Sequence, residues 1–194
     1  MKRMSQILTS LTVLAAFSGC GGGSVSGSVS GISLNAQDSI FFVIKDDAGK
    51  TQYVSVVMAD KPNLCDTLRA NRLPKSATSL AFTLVNVKVE NRVGTYLAPD
   101  VGSYTVTDME ISQSGLFAGS GFSRTDANCT DSLTASASTG KSGLVKVTNL
   151  KAEVNGNLSG TFDVSIGTQA DKLTGSINAR FCDVSKVQMN PNCE

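Results

Sequence analysis

Apolar and polar residues alternate with a period of two along much of the chain. LVNVKVEN (84–91) places three valines on one side of an extended backbone and polar residues on the other, and GTFDVSIG (160–167) and KLTGSINARF (172–181) repeat the alternation. This period is typical of strands with one buried face and one solvated face, as in antiparallel sheets. The pattern therefore predicts an all-β protein.

Turn residues separate these strands at short intervals. SIFFVIKDDAGKTQYVSVVM (39–58) predicts two strands joined by a turn at 46–50, where Gly49 can accept the positive φ that such turns often need. With further candidates, about ten short strands are expected, which favours an antiparallel β-sandwich, with a barrel as the alternative. The further strand candidates are 28–34, 103–108, 115–124 and 132–138.

A second hairpin is predicted in AEVNGNLSG, but its register is open. A three-residue loop 155–157 would pair Val154 with Leu158, whereas a two-residue Asn-Gly loop shifts the pairing by one. Val145 and Val147 favour the shifted register. We expect the three-residue loop, because it brings apolar side chains together.

One short helix is predicted near 63–72. In PNLCDTLRANRLP, Asn63 can cap the start, Leu64 and Leu68 lie one turn apart on the same face, and Pro74 ends the run. Cys65 lies on this segment, so a disulfide there would tie the helix to the sheet.

Two internal segments echo one another, LSGTFDV (158–164) and LTGSINA (173–179), each with a glycine two residues after a leucine. Glycine inside a strand marks a bulge, a bend or a close approach of another backbone. We expect a bulge or bend at Gly160 and Gly175. The alternative is a paired surface where a ligand approaches the backbone.

The first residues carry a different signal. Two basic residues precede an apolar run, Ile7 to Phe17, which is too short for a spanning helix of about 20 residues and is typical of an export signal. The run ends in FSGC, which resembles the lipobox of bacterial lipoproteins, with Cys20 in the cysteine place and Phe17 where leucine is usual. A glycine and serine stretch follows.

The lipobox resemblance implies that residues 1–19 are removed and that Cys20 is lipidated. It also implies attachment to membrane lipid through the acylated Cys20. The glycine and serine residues predict a flexible tether over 20–28, and the length and strand pattern of the rest predict a single all-β domain over 29–194. Gly21 lacks the acidic character of an inner-membrane retention signal, which favours the outer membrane. The alternative is a secreted protein cut near Ser18, with Cys20 unmodified.

The other four cysteines are expected to form disulfides, because an exported chain with an even number of cysteines meets an oxidising compartment. Sequence alone allows three pairings, and we favour Cys65 with Cys129 and Cys182 with Cys193. Zinc is disfavoured, since no CxxC pair and no histidine occurs.

Composition excludes several kinds of chemistry. The chain contains no histidine, so Ser-His-Asp and Cys-His nucleophiles are absent, and after removal of the leader 15 basic residues face 16 acidic ones, which argues against nucleic-acid binding. A carboxylate pair such as Glu153 and Asp163 is the remaining hydrolase hypothesis. Calcium at 46–47 or 126–131 is less expected than ordinary Asp and Asn turns.

These observations lead to an expectation about function. We expect no cofactor and no enzyme activity, but a lipid-anchored binding or structural module of the bacterial envelope, possessing an envelope protein partner. A carrier of small apolar ligands inside a β-barrel is the alternative. Glycine-bearing paired strands that end in a cysteine are also similar to those of uncharacterised bacterial lipoproteins, and no activity follows from that similarity.

Overall fold

The computed structural model describes residues 22–107, 113–185 and 192–193. The leader 1–19 and Cys20 lie outside the described residues, so the predictions made for them are not addressed by the fold. The described strands are β1 (Ser24–Gly27), β2 (Asp38–Lys45), β3 (Thr51–Ala59), β4 (Arg72–Leu73), β5 (Thr78–Glu90), β6 (Val93–Leu97), β7 (Gly102–Val106), β8 (Gly115–Arg124), β9 (Gly140–Leu150), β10 (Asn157–Ile166), β11 (Asp171–Phe181) and β12 (Asn192–Cys193), and the helices are α1 (Leu64–Arg69) and α2 (Ala135–Ser138).

Eight of the strands close into a mixed β-barrel in the order β11-β10-β9-β7-β8-β5-β3-β2. The barrel closes where β11 runs parallel to β2, with Arg180 opposite Ile40 and Phe181 opposite Phe41. β7 and β8 are also parallel, and the other neighbours in the barrel are antiparallel. The all-β class is confirmed, and its architecture is the barrel alternative instead of the sandwich.

The remaining strands lie outside this ring. β1 pairs with β11 on the same edge that β11 offers to β2, and β6 extends β5 into a hairpin whose two turn residues, Asn91 and Arg92, both have positive φ. β4 and β12 form a separate two-stranded ribbon.

Aromatic and branched side chains fill the barrel. Phe41, Phe82, Phe122 and Tyr104 are fully buried, and the rings of Phe82 and Phe162 lie 5.1 Å apart between centroids. An eight-stranded barrel is just wide enough for side chains to fill its interior, which agrees with this packing. Alternate residues of each strand supply this core, as the period-two pattern predicted.

A second, smaller cluster lies on the outer face, where α1 covers β2 and β3. It contains Ile40, Ala59, Leu64, Cys65 and Cys182. The predicted helix is therefore present, although it begins at Leu64 and ends at Arg69. The Asn63 side chain makes no capping hydrogen bond, which corrects the expected cap.

Three local predictions are wrong. Residues 28–34 are not a strand, because Ser30 and Gly31 both have positive φ and turn the chain between the bridged residues Val29 and Ile32. Residues 132–138 end in α2, where the backbone N–H groups of Ala137 and Ser138 bond to the Thr134 carbonyl oxygen. No residue of α2 is buried, so its weak alternation had no core to face.

The third concerns the hairpin between β9 and β10. Leu158 pairs with Leu150 and not with Val154, which lies in a longer connection and is 80% exposed. Phe162 consequently pairs with Val145. Packing of the Val145 side of β9 into the barrel outweighs the local preference for a tight loop.

The 46–50 turn and the Gly160 bulge are confirmed. Gly49 has a φ of 78° and donates its N–H to the Asp46 carbonyl oxygen. The register between β9 and β10 shifts between Ser159 and Gly160. Gly175 serves close approach instead, because a Cβ there would lie 1.9 Å from the Ser24 carbonyl oxygen.

Candidate functional site

The barrel seam, the parallel contact between β2 and β11, contains a buried carboxylate with several hydrogen-bond partners. Asp38 opens β2 and is 3% exposed. Its Oδ1 accepts the Ser39 N–H at 2.8 Å, and its Oδ2 accepts the Leu64 N–H at 2.9 Å and an Arg180 guanidinium N–H at 2.8 Å. One carboxylate therefore joins β2, the start of α1 and β11.

A disulfide between Cys65 and Cys182 lies beside this carboxylate, and a second joins Cys129 to Cys193. The favoured pairing of Cys65 with Cys129 and Cys182 with Cys193 is therefore wrong. The observed pairing follows from the fold, because α1 packs over the end of β11 and brings Cys65 to Cys182. Disulfides persist in oxidising compartments, so the two bonds indicate an exported, non-cytoplasmic protein.

Two clefts flank the chain that leaves β11. The first has a volume of about 500 Å³ and lies between α1 and the 151–156 connection, with Asp66, Arg69, Asn155 and Arg180 in its lining. Both arginines make bonds within the fold, because Arg69 Nε donates to the Asp183 carbonyl oxygen at 3.2 Å and Arg180 binds Asp38. Their guanidinium groups are therefore engaged in joining the seam.

The second cleft, of about 550 Å³, lies at the end of β2 beside residues 182–185. Val43, Ile44, Phe181 and Val184 give it apolar walls, with Lys45 and Asp183 as its charged residues. Its lining offers surface for a chain or a ligand but holds no pair of carboxylates.

The carboxylates of the proposed calcium loops bind their own turns. Asp126 Oδ1 accepts the backbone N–H groups of Asn128 and Thr130 at 2.8 and 2.9 Å, and Asp46 Oδ1 accepts those of Ala48 and Lys50 at 3.1 and 2.8 Å. Within residues 22–107, 113–185 and 192–193, no group of three or more Cys, Asp or Glu side chains is placed to hold a metal ion.

The two carboxylates of the hydrolase hypothesis lie on different kinds of element. Asp163 is on β10, with its Oδ1 3.9 Å from Lys172 Nζ on the exposed face of the sheet. Glu153 lies in the connection between β9 and β10 and is exposed. Both carboxylates are therefore exposed to solvent.

Tyr104 is the buried titratable group of the barrel interior. Its hydroxyl donates to the Asp100 carbonyl oxygen at 2.5 Å and accepts the Asp100 N–H at 3.0 Å. Burial raises the pKa of Tyr104 to about 12, since the phenolate would lose its hydration. These two hydrogen bonds fix the chain at Asp100, just before β7, and they occupy the Tyr104 hydroxyl.

β1 begins four residues after Cys20, the expected lipid site. Ser24 pairs with Ser176 of β11, and their hydroxyl oxygens lie 2.9 Å apart. A Cβ at Gly23 would lie 1.9 Å from the Ser176 carbonyl oxygen, so close packing requires glycine there. The stretch expected as a flexible tether up to residue 28 therefore contributes a strand of the domain.

No helix among the described residues has the length and apolar character needed to cross a membrane. Comparisons with protein-family models, curated proteins and solved structures gave no match.

Proposed function

We propose that this chain is a bacterial envelope lipoprotein, anchored by acyl chains on Cys20, whose barrel is a non-catalytic binding or structural module. The observation that carries the proposal is the FSGC sequence followed after three glycines by a strand of an exported, disulfide-bonded domain. Several acyl chains make a stable anchor, where one chain binds only marginally. Gly21 after the cysteine favours the outer membrane.

The described residues support a role without catalysis. The seam carboxylate, both cleft arginines and the turn aspartates make bonds that hold the fold together. The chain has no histidine to act as a base or nucleophile partner. A carrier role receives no support, because fully buried rings occupy the barrel interior.

Incorporation of labelled palmitate tests the anchor. The full chain, expressed in a bacterium and exported, should take up the label, and Cys20→Ser should lose it because the acceptor sulfur is gone. Ser18→Ala is the matched control, since it keeps a small residue at its place and should retain the label. Equal labelling of the wild type and Cys20→Ser would contradict the proposal.

Crosslinking in intact envelopes tests the binding role. Wild-type protein recovered after crosslinking should carry envelope proteins that are absent when Cys20→Ser is recovered in the same way. Recovery of the same set from both variants would show that capture does not depend on the anchor, and this would contradict an anchored binding module.

A further inference from the structure

The connection between the proposed lipid site and the barrel is very short. Ser24 is the first residue of β1, so only three glycines separate it from Cys20. Four residue steps of extended chain span at most about 14 Å. The wall of the barrel that carries β1 must therefore lie next to the membrane surface if Cys20 is lipidated.

β1 is paired with the barrel strand β11 and does not lengthen this connection. It pairs with β11 over four residues, from Ser24 opposite Ser176 to Gly27 opposite Leu173. Val25, between them, packs against the hydrophobic core. The glycine at 175 is required by the same contact, because a Cβ there would meet both β1 and the Phe162 ring.

Most of the strand residues on the outer surface around this exit point carry hydroxyl or amide side chains. Along β1, β11 and β10, the pairings bring six uncharged polar residues together, with Ser176 flanked by Ser24 and by Thr161. Five of the six are exposed and Ser176 is half-buried. We call this surface the β1 wall; its residues are Ser24, Ser26, Thr161, Thr174, Ser176 and Asn178.

Cations stand at both ends of the wall. Lys172 precedes Thr174 by two residues on the same face of β11, with its side chain 74% exposed, and Arg180 follows Asn178 by two residues. Each has a carboxylate within ion-pair distance, Asp163 for Lys172 and Asp38 for Arg180. Asp163 also lies opposite Thr174 on the same exposed face, and the neighbouring Lys172 offsets the charge of this carboxylate.

We propose that the β1 wall lies flat on the lipid headgroups of the leaflet that holds the Cys20 acyl chains. The inference rests on the proposed lipidation of Cys20. Hydroxyl and amide groups bond to headgroup phosphates and their water, while the acyl chains supply the insertion into hydrocarbon. β5 lies across the barrel from β10, so the β5–β6 hairpin points away from the membrane.

Lysine labelling in vesicles tests this orientation. Wild-type protein extracted with its anchor is reconstituted in vesicles of phosphatidylcholine with about a third phosphatidylglycerol, an anionic surface. A water-soluble acetylating reagent is added, and labelling of Lys172 at the wall is compared with Lys88 on β5 by mass spectrometry. Their side chains are 74% and 57% exposed, so without a membrane the two lysines should react comparably.

The matched control is a full chain with a flexible spacer of about 20 Gly and Ser residues inserted between Gly21 and Gly22, which keeps the anchor but frees the barrel. We expect the ratio of Lys172 to Lys88 labelling to be about five-fold lower in the wild type than in the spacer variant. Equal ratios in the two proteins would overturn the inference, because the protection of Lys172 would then be absent or would not depend on the short connection.

This outcome is separate from that of the anchor itself. If the wild type floats with the vesicles and its Lys172 reacts as the spacer variant does, the anchor is intact and the orientation is wrong. If the wild type carries no lipid, the proposed function fails before labelling begins.

Discussion

Replacing Asp38 with alanine should destabilise the domain strongly, because the carboxylate joins three elements at the barrel seam. It accepts hydrogen bonds from Ser39, Leu64 and Arg180, and it is 3% exposed. Removing one partner of a buried ion pair costs about 3–5 kcal/mol. The Arg180 side chain is 46% exposed, so water replaces part of its bond, and we expect a loss of about 2–4 kcal/mol in the free energy of unfolding.

Urea unfolding followed by circular dichroism measures this loss. With a urea dependence of about 2 kcal/mol per molar, the midpoint should fall by about 1–2 M. Arg180→Met should cost less, since Asp38 keeps its two backbone donors, and the double variant should show a coupling of about 1 kcal/mol or more.

The control is Asp163→Ala, which removes an exposed carboxylate 3.9 Å from Lys172 and should change stability by no more than about 0.5 kcal/mol. If Asp38→Ala behaved like this control, the seam would not depend on its buried carboxylate and the reasoning would be refuted.

Three further outcomes are expected from urea unfolding. Gly175→Ala should cost about 1–3 kcal/mol, because its Cβ would lie 1.9 Å from a β1 carbonyl oxygen, and a neutral result would show that β1 is not packed there. The pKa of Tyr104 is about 12 in the fold against 10.0 in the unfolded chain. Its contribution to the free energy of unfolding is therefore complete below pH 10 and falls by about 3 kcal/mol between pH 10 and 12. Tyr104→Phe should abolish that fall, and an unchanged loss of stability at alkaline pH would contradict the role of Tyr104. Replacing Cys65 and Cys182 with alanine opens a link 117 residues apart in sequence and should cost about 4–5 kcal/mol by loop entropy, whereas a cost under about 1 kcal/mol would show that α1 packing alone secures the seam.

The alternation of apolar and polar residues predicted the strands well where one face of the strand is apolar and the other is polar. β5, β10 and β11 follow the period-two pattern closely, and the turn at 46–50 was marked by its glycine. Closure of the barrel could not be predicted in this way. It rests on two residue pairs between β2 and β11, which lie about 140 residues apart, and no local pattern reports such a contact.

The wrong predictions share one cause, which is that tertiary packing outweighs local signals. In the 28–34 segment, Val29 and Leu34 are an odd number of residues apart, so a regular strand would place them on opposite faces. The turn at Ser30 and Gly31 allows both side chains to enter the core. The cysteine pairing follows from where α1 packs and not from spacing along the chain.

The residues of the seam carried a weak signal. Asp38 lies two residues before the apolar run of β2, a place where an unpaired carboxylate would be expensive to bury. That position indicates a partner, but Arg180 lies 142 residues away and only the fold identifies it. The Gly and Ser residues before β1 were similarly ambiguous, since close packing and flexibility both favour small residues.

Intact-mass analysis of the membrane-extracted protein tests the central claim most directly. The account predicts a chain that begins at Cys20, lacks residues 1–19 and carries the added mass of acyl groups at that residue. A free thiol at Cys20, or a chain that still contains the leader, would contradict it.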